Sequence, residues 1–268
     1  MNIRYVISTK VFWWREHNLS FEQECEFLQS LGFGVEIWPT MRGSDECRFQ
    51  RRNWDRLRMA TEGMLVSLHS RQDRPGHAEW DEQLQCAQLL NAHMVTDLSS
   101  LGLSGSPTAA DFSFAAEVVK MAEKYEVPLY VENGNMPLLQ ETGKQFDYIQ
   151  FCLDTGHAHL DPDHTFHEYI DALVKRTGYL HLTDNYGHGH AHEHEPPGVR
   201  GGMPRDNWDY LLNTLKEHNN EIIGSMEMYP CLPGTMIRQG SKFLFDVIGW
   251  PNRPTPKPGA DETSYRPI

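Results

Sequence analysis

"TAADFSFAAEVVKMAEKYEVPLYVEN", residues 108–133, holds one helix followed by one strand. Residues 108–126 read as the helix. "VPLYVEN" (127–133) reads as the strand, apolar until it ends in Glu132 and Asn133. A short apolar run of this kind marks a strand buried on both faces. The same pairing recurs on both sides. Upstream lie "IRYVIS" (3–8), "GVEIW" (34–38), "MLVSLHS" (64–70) and "HMVTDLS" (93–99). Helices are expected between them over 20–32, 46–62 and 77–91. The first opens on Ser20 as N-cap, with Gln23 completing a capping box and Gly32 at the stop. Downstream, "IQFCLDT" (149–155), "GYLHLTD" (178–184) and "IIGSMEM" (222–228) alternate with helices expected over 137–145, 165–177, 206–219 and 235–248.

Strict alternation argues for a parallel sheet. Eight units in 268 residues argue for closure into a (β/α)8 TIM barrel, an α/β fold, as a single domain over residues 1–250. An open doubly wound sheet is the alternative, but no G-x-G-x-x-G follows the first strand. From Pro251 the texture changes to "PNRPTPKPGADETSYRPI" (251–268). Its prolines exclude a regular helix or central strand and predict an extended C-terminal tail.

The charge balance is 24 Lys and Arg against 37 Asp and Glu, a net −13. That disfavours a nucleic-acid partner, because surfaces that follow phosphates cluster basic residues. The nearest basic cluster, "RFQRRNWDRLR" (48–58), reads as a solvated helix face. Five widely spaced Cys without a Cys-x-x-Cys suggest a reduced compartment. The opening "MNIRYVISTK" is too short and polar for a signal peptide. No apolar run approaches the roughly 20 residues that span a bilayer. A cytoplasmic protein without membrane contact is expected, with a homo-oligomer left open.

In such barrels chemistry gathers at the C-terminal ends of the strands. Those ends carry Glu36, His69, Asp97, Glu132, Asp154, His181 and Glu227. Seven of eight strands thus deliver an acid or an imidazole to one rim, with no Lys or Arg inside those seven strands. Buried charges need partners, so the ring implies a divalent cation. Two Glu, one Asp and one His from this ring give an oxygen-rich site with one nitrogen, which suits Mn, Co or Mg, and Zn if more His join. Further His are at hand. His157 lies three residues past Asp154, with Gly156 permitting a sharp turn. "GHGHAHEHEPPG" (187–198) carries His188, His190, His192 and His194. Plainer readings stand beside these. His69 is a core His or a ligand, and Asp97 caps the next helix. Glu36 pairs with an Arg or contacts substrate, and His188 and His190 are solvated. Trp13, Trp14, Trp38 and Trp80 lie near rim loops, where they either stack on a substrate ring or pack under loops.

"YVEN", "CLDTGHAH", "HLTD", "HEHEPPG" and "MEMY", taken together, resemble the xylose-isomerase-like barrel superfamily. It includes ketose 3-epimerases, inosose-processing enzymes and endonuclease IV, and the resemblance spans about residues 3–249. The epimerase-type members imply one metal held by Glu132, Asp154, His181 and Glu227, with His157 on substrate. Endonuclease IV implies a three-zinc cluster, which would add His69 and His157. Its D-x-H aligns with His192-Glu193-His194, where His replaces Asp, and its strand-4 His is Asp97 here. The epimerases' Arg six residues past the strand-7 His is Gly187, and Arg200 would have to substitute for it in substrate binding.

The resemblance therefore implies a metal-dependent sugar or polyol isomerase or epimerase. It would act through an enediolate, with Glu132 and Glu227 as the acid–base pair. A multi-zinc phosphodiesterase is the alternative. A polyol lyase or dehydratase would use the same chemistry, and a non-catalytic sugar-binding barrel is the remaining reading.

Overall fold

A computed structural model describes residues 1–12, 19–40, 47–71, 75–187, 194–199, 202–219, 221–229 and 233–260. Eight parallel strands close a barrel in the order β1 to β8, each hydrogen-bonded to the next and β8 to β1. The strands are β1 (Asn2–Ser8), β2 (Gly34–Ile37), β3 (Val66–His69), β4 (His93–Asp97), β5 (Leu129–Glu132), β6 (Gln150–Asp154), β7 (Thr177–His181) and β8 (Glu221–Met226). The helices are α1 (Phe21–Ser30), α2 (Trp54–Ala60), α3 (His77–Leu89), α4 (Ala109–Lys124), α5 (Met136–Gln145), α6 (Thr155–Leu160), α7 (Phe166–Leu173), α8 (Arg205–His218) and α9 (Pro233–Ser241). This is the TIM barrel expected from the alternation, in one domain. Among the described residues, no helix is long and apolar enough to cross a membrane.

Two cores result. The larger lies between strands and helices and buries Trp80, Trp208 and Tyr169 completely. The smaller fills the barrel interior with Val6, Val95, Tyr130, Cys152, Tyr179 and Ile223. Side chains alternate along a strand with a period of two. The residues two places on from Val95, Tyr130, Cys152 and Tyr179 are Asp97, Glu132, Asp154 and His181. They therefore point inward again, one layer higher, at the mouth. The register pairs Asp97 with Glu132 and Asp154 with His181, while Glu132 pairs with Cys152, so Asp154 and His181 stand two residues further along their strands than the partners of Glu132.

The local signals explain most elements. Ser20 and Gln23 form the expected capping box of α1, and Thr108–Asp111 and Thr165–Glu168 form two more. Two stretches depart from the sequence reading. In place of one helix over 46–62 there is a 3-10 turn (Arg51–Asn53) leading into the short α2. Asn53 Nδ2 donates to the Arg48 carbonyl and Arg48 N donates to the Pro39 carbonyl, which takes those groups out of a helical ladder. The second departure is α6, which starts directly at the end of β6. Gly156 sits in that helix instead of making a separate turn.

Residues 251–260 hold no helix or strand and pack under the barrel, on the face opposite the strand C-termini. Tyr5 Oη donates to the Pro251 carbonyl at 2.9 Å, and Lys257 N donates to the Ser30 carbonyl at 2.7 Å. Gly32, at φ +82°, is what permits this. A Cβ there would stand 2.5 Å from the Thr255 carbonyl oxygen. The rest of the tail lies outside the described residues.

Candidate metal centre

Glu132, Asp154, His181 and Glu227 each offer one donor atom, and these atoms lie within 4.8 Å of one another. All four side chains are buried. Three are strand ends, and Glu227 directly follows β8. Glu132 Oε1 is 2.9 Å, Glu227 Oε2 3.3 Å and Asp154 Oδ2 3.7 Å from His181 Nδ1.

Asp154 has a divided carboxylate. As N-cap of α6, its Oδ1 accepts from His157 N at 2.8 Å and from Thr183 Oγ1 at 2.8 Å. Its Oδ2 is buried without a hydrogen-bond partner among the described residues. Orphaned buried oxygens are rare in folded proteins. One aimed at two other carboxylates and an imidazole fits a divalent cation in both charge and donor type. The D-x-x-H spacing is thereby explained: the cap bond reaches the third residue of the helix, which is His157.

Neighbouring bonds fix this geometry. Asn133 donates through Nδ2 to the Asp154 carbonyl at 3.2 Å and accepts from Asp154 N, tying β5 to β6. Thr155 Oγ1 donates to the Thr183 carbonyl at 2.6 Å, and Gly156 N donates to Thr183 Oγ1 at 2.9 Å, tying α6 to the end of β7. Asp184 shapes the next loop by accepting from the backbone N–H groups of Gly198 and Met203. That loop carries His194 into the mouth, where it is 5% exposed. The sequence gives no role to Asn133, Thr183 or Asp184, although each sits in a quoted motif.

Glu36 lies behind His181. It is fully buried, and its Oε2 accepts from His181 Nε2 at 3.1 Å and from Tyr179 Oη at 2.7 Å. Its described partners are thus neither an Arg nor the surface of a cavity. A carboxylate in this place orients an imidazole ligand and raises its basicity. It also assigns the ring: Nε2 carries the proton shared with Glu36, and Nδ1 faces the carboxylates.

His69 and His157 flank Glu132. His69 Nε2 is 3.6 Å from Oε2, and His157 Nδ1 is 3.6 Å from Oε1. His69 is buried under Trp38, ring centroids 4.2 Å apart. Trp80 is fully buried in the outer core, and its indole N–H donates to the Ser100 carbonyl. Asp97 accepts from Ser99 Oγ and from Ser100 N, so it caps a turn and not α4. His188, His190, His192, Arg200, Trp13 and Trp14 lie outside the described residues.

One cation enters that the strand-by-strand reading missed. Lys10 sits in a 3-10 turn (Thr9–Phe12) directly after β1. Its Nζ donates to Glu227 Oε1 at 2.8 Å, stands 3.3 Å from His194 Nε2 and lies 4.5 Å over the Trp38 ring. "STK" at the end of the first strand was the available signal: the eighth strand end delivers a positive charge to the ring of seven.

The titrations follow from this packing. Burial opposes the charge of Glu132, but the imidazoles of His181, His69 and His157 outweigh it and hold its carboxyl well below the usual range. Glu227 is likewise burdened by burial and held low by Lys10 and His181. Burial wins at Asp154, pushed up to about 6. Burial also opposes the charge of His181, but Cys152 and the three Glu carboxylates raise it well above an ordinary imidazole. Burial lowers His194 to about 3, so its ring is neutral.

Beside the cluster, a cavity of about 320 Å³ opens between the loops after β4 and β5. Asp97, Ser99, Ser104 and Asn135 line it, and it reaches Glu132 and His157. That volume suits a small molecule.

No curated protein matches the chain. Among solved structures, a xylose isomerase domain-containing protein from Salmonella typhimurium LT2 is 15% identical, with a TM-score of 0.57 over 85% of this chain and 91% of that one. A protein from Anabaena variabilis ATCC 29413, named as a candidate sugar phosphate isomerase/epimerase, is 15% identical, with a TM-score of 0.58 over 97% and 92%. SacUVDE is 10% identical, with a TM-score of 0.51 over 92% and 99%. At these identities the likeness concerns the fold alone. Residues 34–247 match the family described as xylose isomerase-like TIM barrel. The chain belongs to that family.

Proposed function

We propose that this protein is a metal-dependent isomerase or epimerase of a sugar or polyol, moving a proton next to a carbonyl through an enediolate. The observation that carries the reading is the buried, unpartnered Asp154 Oδ2 facing Glu132, Glu227 and His181 Nδ1 beside a cavity of small-molecule size. Glu132, Asp154, His181 and Glu227 would hold the ion: Mn, Co or Mg by their oxygens, or Zn. A bound divalent ion supplies Lewis-acid polarisation of a carbonyl and its neighbouring hydroxyl.

The chain's own groups do the rest. Glu132, kept ionised at the cavity, is placed to take a proton from carbon. Glu227, across the cluster and bonded to Lys10, is placed to return one. His157, 30% exposed beside Glu132, is placed to bond a substrate hydroxyl. Arg200 stays a candidate substrate contact on its sequence position alone. Buried free Cys25, Cys47, Cys86 and Cys152 support a reducing, cytoplasmic setting.

The test is proton exchange. The ion-loaded protein is incubated with ketoses and cyclic ketopolyols in deuterated water, and deuterium next to the carbonyl is read by NMR. Incorporation that Glu132→Gln abolishes is expected. Exchange that survives Glu132→Gln undiminished, or no exchange with any substrate and ion, overturns the reading.

A second reading has its own support. His69, His157 and His194 each approach a cluster carboxylate at 3.6 Å, which is what a multi-zinc phosphodiesterase would need. Two or three tightly held Zn ions together with cleavage of a phosphodiester would favour it. The net charge of −13 argues against a nucleic-acid substrate.

A further inference from the structure

We propose that Lys10 is the site's own built-in cation, standing between Glu227 and His194 where a second metal ion would bind, so that the centre takes one divalent ion and not a cluster. The inference rests on the metal-centre reading above and goes beyond it.

The side chain is held as an ion would be. It is 11% exposed, and its ammonium meets a carboxylate oxygen at 2.8 Å, an imidazole nitrogen at 3.3 Å and the face of Trp38 at 4.5 Å. Those partners give each of its three N–H bonds a destination. His194 presents Nε2 to the ammonium and Nδ1 to Glu227 Oε2 at 3.6 Å. A ring that accepts from the ammonium at Nε2 turns its Nδ1 side toward the Glu227 carboxylate.

Glu227 is thus shared. Oε2 faces His181 Nδ1 in the four-residue cluster, and Oε1 faces Lys10. In a two-ion site a bridging carboxylate would divide its oxygens between the ions in this way. Here an ammonium takes the second place.

The local chain makes that placement firm. Val11 and Phe12 are buried, and Thr9 Oγ1 accepts from Trp38 N at 2.9 Å. The turn after β1 is therefore anchored to the end of β2. A fixed positive charge also repels a second ion from His194 and Glu227.

The experiment counts ions. Full-length metal-free protein is titrated with Zn²⁺ and with Co²⁺ by calorimetry, and retained metal is measured after dialysis. The wild type should hold one ion. Lys10→Met and Lys10→Ala, checked for native circular dichroism, should hold a second, at least about tenfold tighter than any second ion in the wild type. Adding His194→Ala to Lys10→Met should remove it, and the Co²⁺ spectrum should gain and then lose a second set of ligand-field bands.

Two ions in the wild type, or one ion in both folded Lys10 variants, overturns the proposal while leaving the metal centre intact. No ion in any protein overturns both readings.

Discussion

Glu36→Gln isolates the carboxylate behind the metal ligand. The substitution keeps the shape of the side chain but removes its charge. The remaining amide oxygen must accept from both Tyr179 Oη and His181 Nε2, which now share Glu36 Oε2 at 2.7 and 3.1 Å. Hydrogen bonds to a charged group contribute about 1.5–3 kcal/mol each. Loss of an outer-shell carboxylate typically lowers metal affinity by about 10- to 100-fold. That range equals about 1.4–2.7 kcal/mol, so the two figures agree. Burial opposes the charge of Glu36, which stays below the usual carboxylate range because His181 faces it. Calorimetric titration of metal-free protein with Mn²⁺ or Co²⁺ should therefore show a 10- to 100-fold weaker variant. Tyr179→Phe, which removes only the hydroxyl, should lose far less. Glu36→Gln with wild-type circular dichroism and an affinity within about twofold of wild type would show that this carboxylate does not set the ligand ring.

Asp154→Asn retains an oxygen for the α6 cap but loses the anionic donor, so ion binding should fall at least about 100-fold while the metal-free melting temperature holds. Asp154→Ala loses the cap as well and should melt lower by about 1 kcal/mol of stability. Equal ion affinity in wild type and Asp154→Asn would remove Asp154 from the ligand set. Ion binding should release about one proton at pH 7, because His181 holds its proton well above the ordinary imidazole range and Nδ1 must give it up. Affinity then rises with pH, at most about tenfold per unit, until His181 is neutral. Identical binding enthalpies in buffers of different ionisation enthalpy would contradict this. Gly32→Ala combines a strained φ of +82° with a Cβ 2.5 Å from the Thr255 carbonyl. It should destabilise the fold by about 1–3 kcal/mol and speed proteolysis near residues 251–260. An unchanged melting temperature and digest would mean the contact is dispensable.

The barrel was legible because buried parallel strands read as apolar runs, and each run ended in a group too polar to be core. Glu132, Asp154, His181 and Glu227 were visible for that reason. What a linear reading lacks is stagger between strands. Glu36 lies one residue before the end of β2, and its oxygen bonds both Tyr179 and His181, so it reaches between two interior layers and sits behind the imidazole. Lys10 was missed because it lies two residues beyond β1, and only the 3-10 turn brings it back over the mouth. The helix α6 was missed because its six residues are too few for a 3.6-residue pattern and its cap is the ligand Asp154 itself.

The four proposed ligands are not held alike, and the difference bears on the roles proposed for them. Asp154 is fixed by a backbone N–H, a threonine hydroxyl and Asn133, and His181 by Glu36. The bonds to Asp154 come from groups that do not titrate, and Glu36 is held below the usual carboxylate range behind His181, so both arrangements suit residues whose work is to hold an ion still. Glu132 and Glu227 meet mainly titratable partners: His69, His157 and His181 for one, and Lys10, His181 and His194 for the other. A carboxylate ringed by such groups can gain or lose a proton while its neighbours adjust their own charge. Of the six possible pairs among the four proposed ligands, only Glu132 with Glu227 joins two carboxylates so surrounded, which is why we propose that pair for the acid–base roles and Asp154 and His181 for holding the ion.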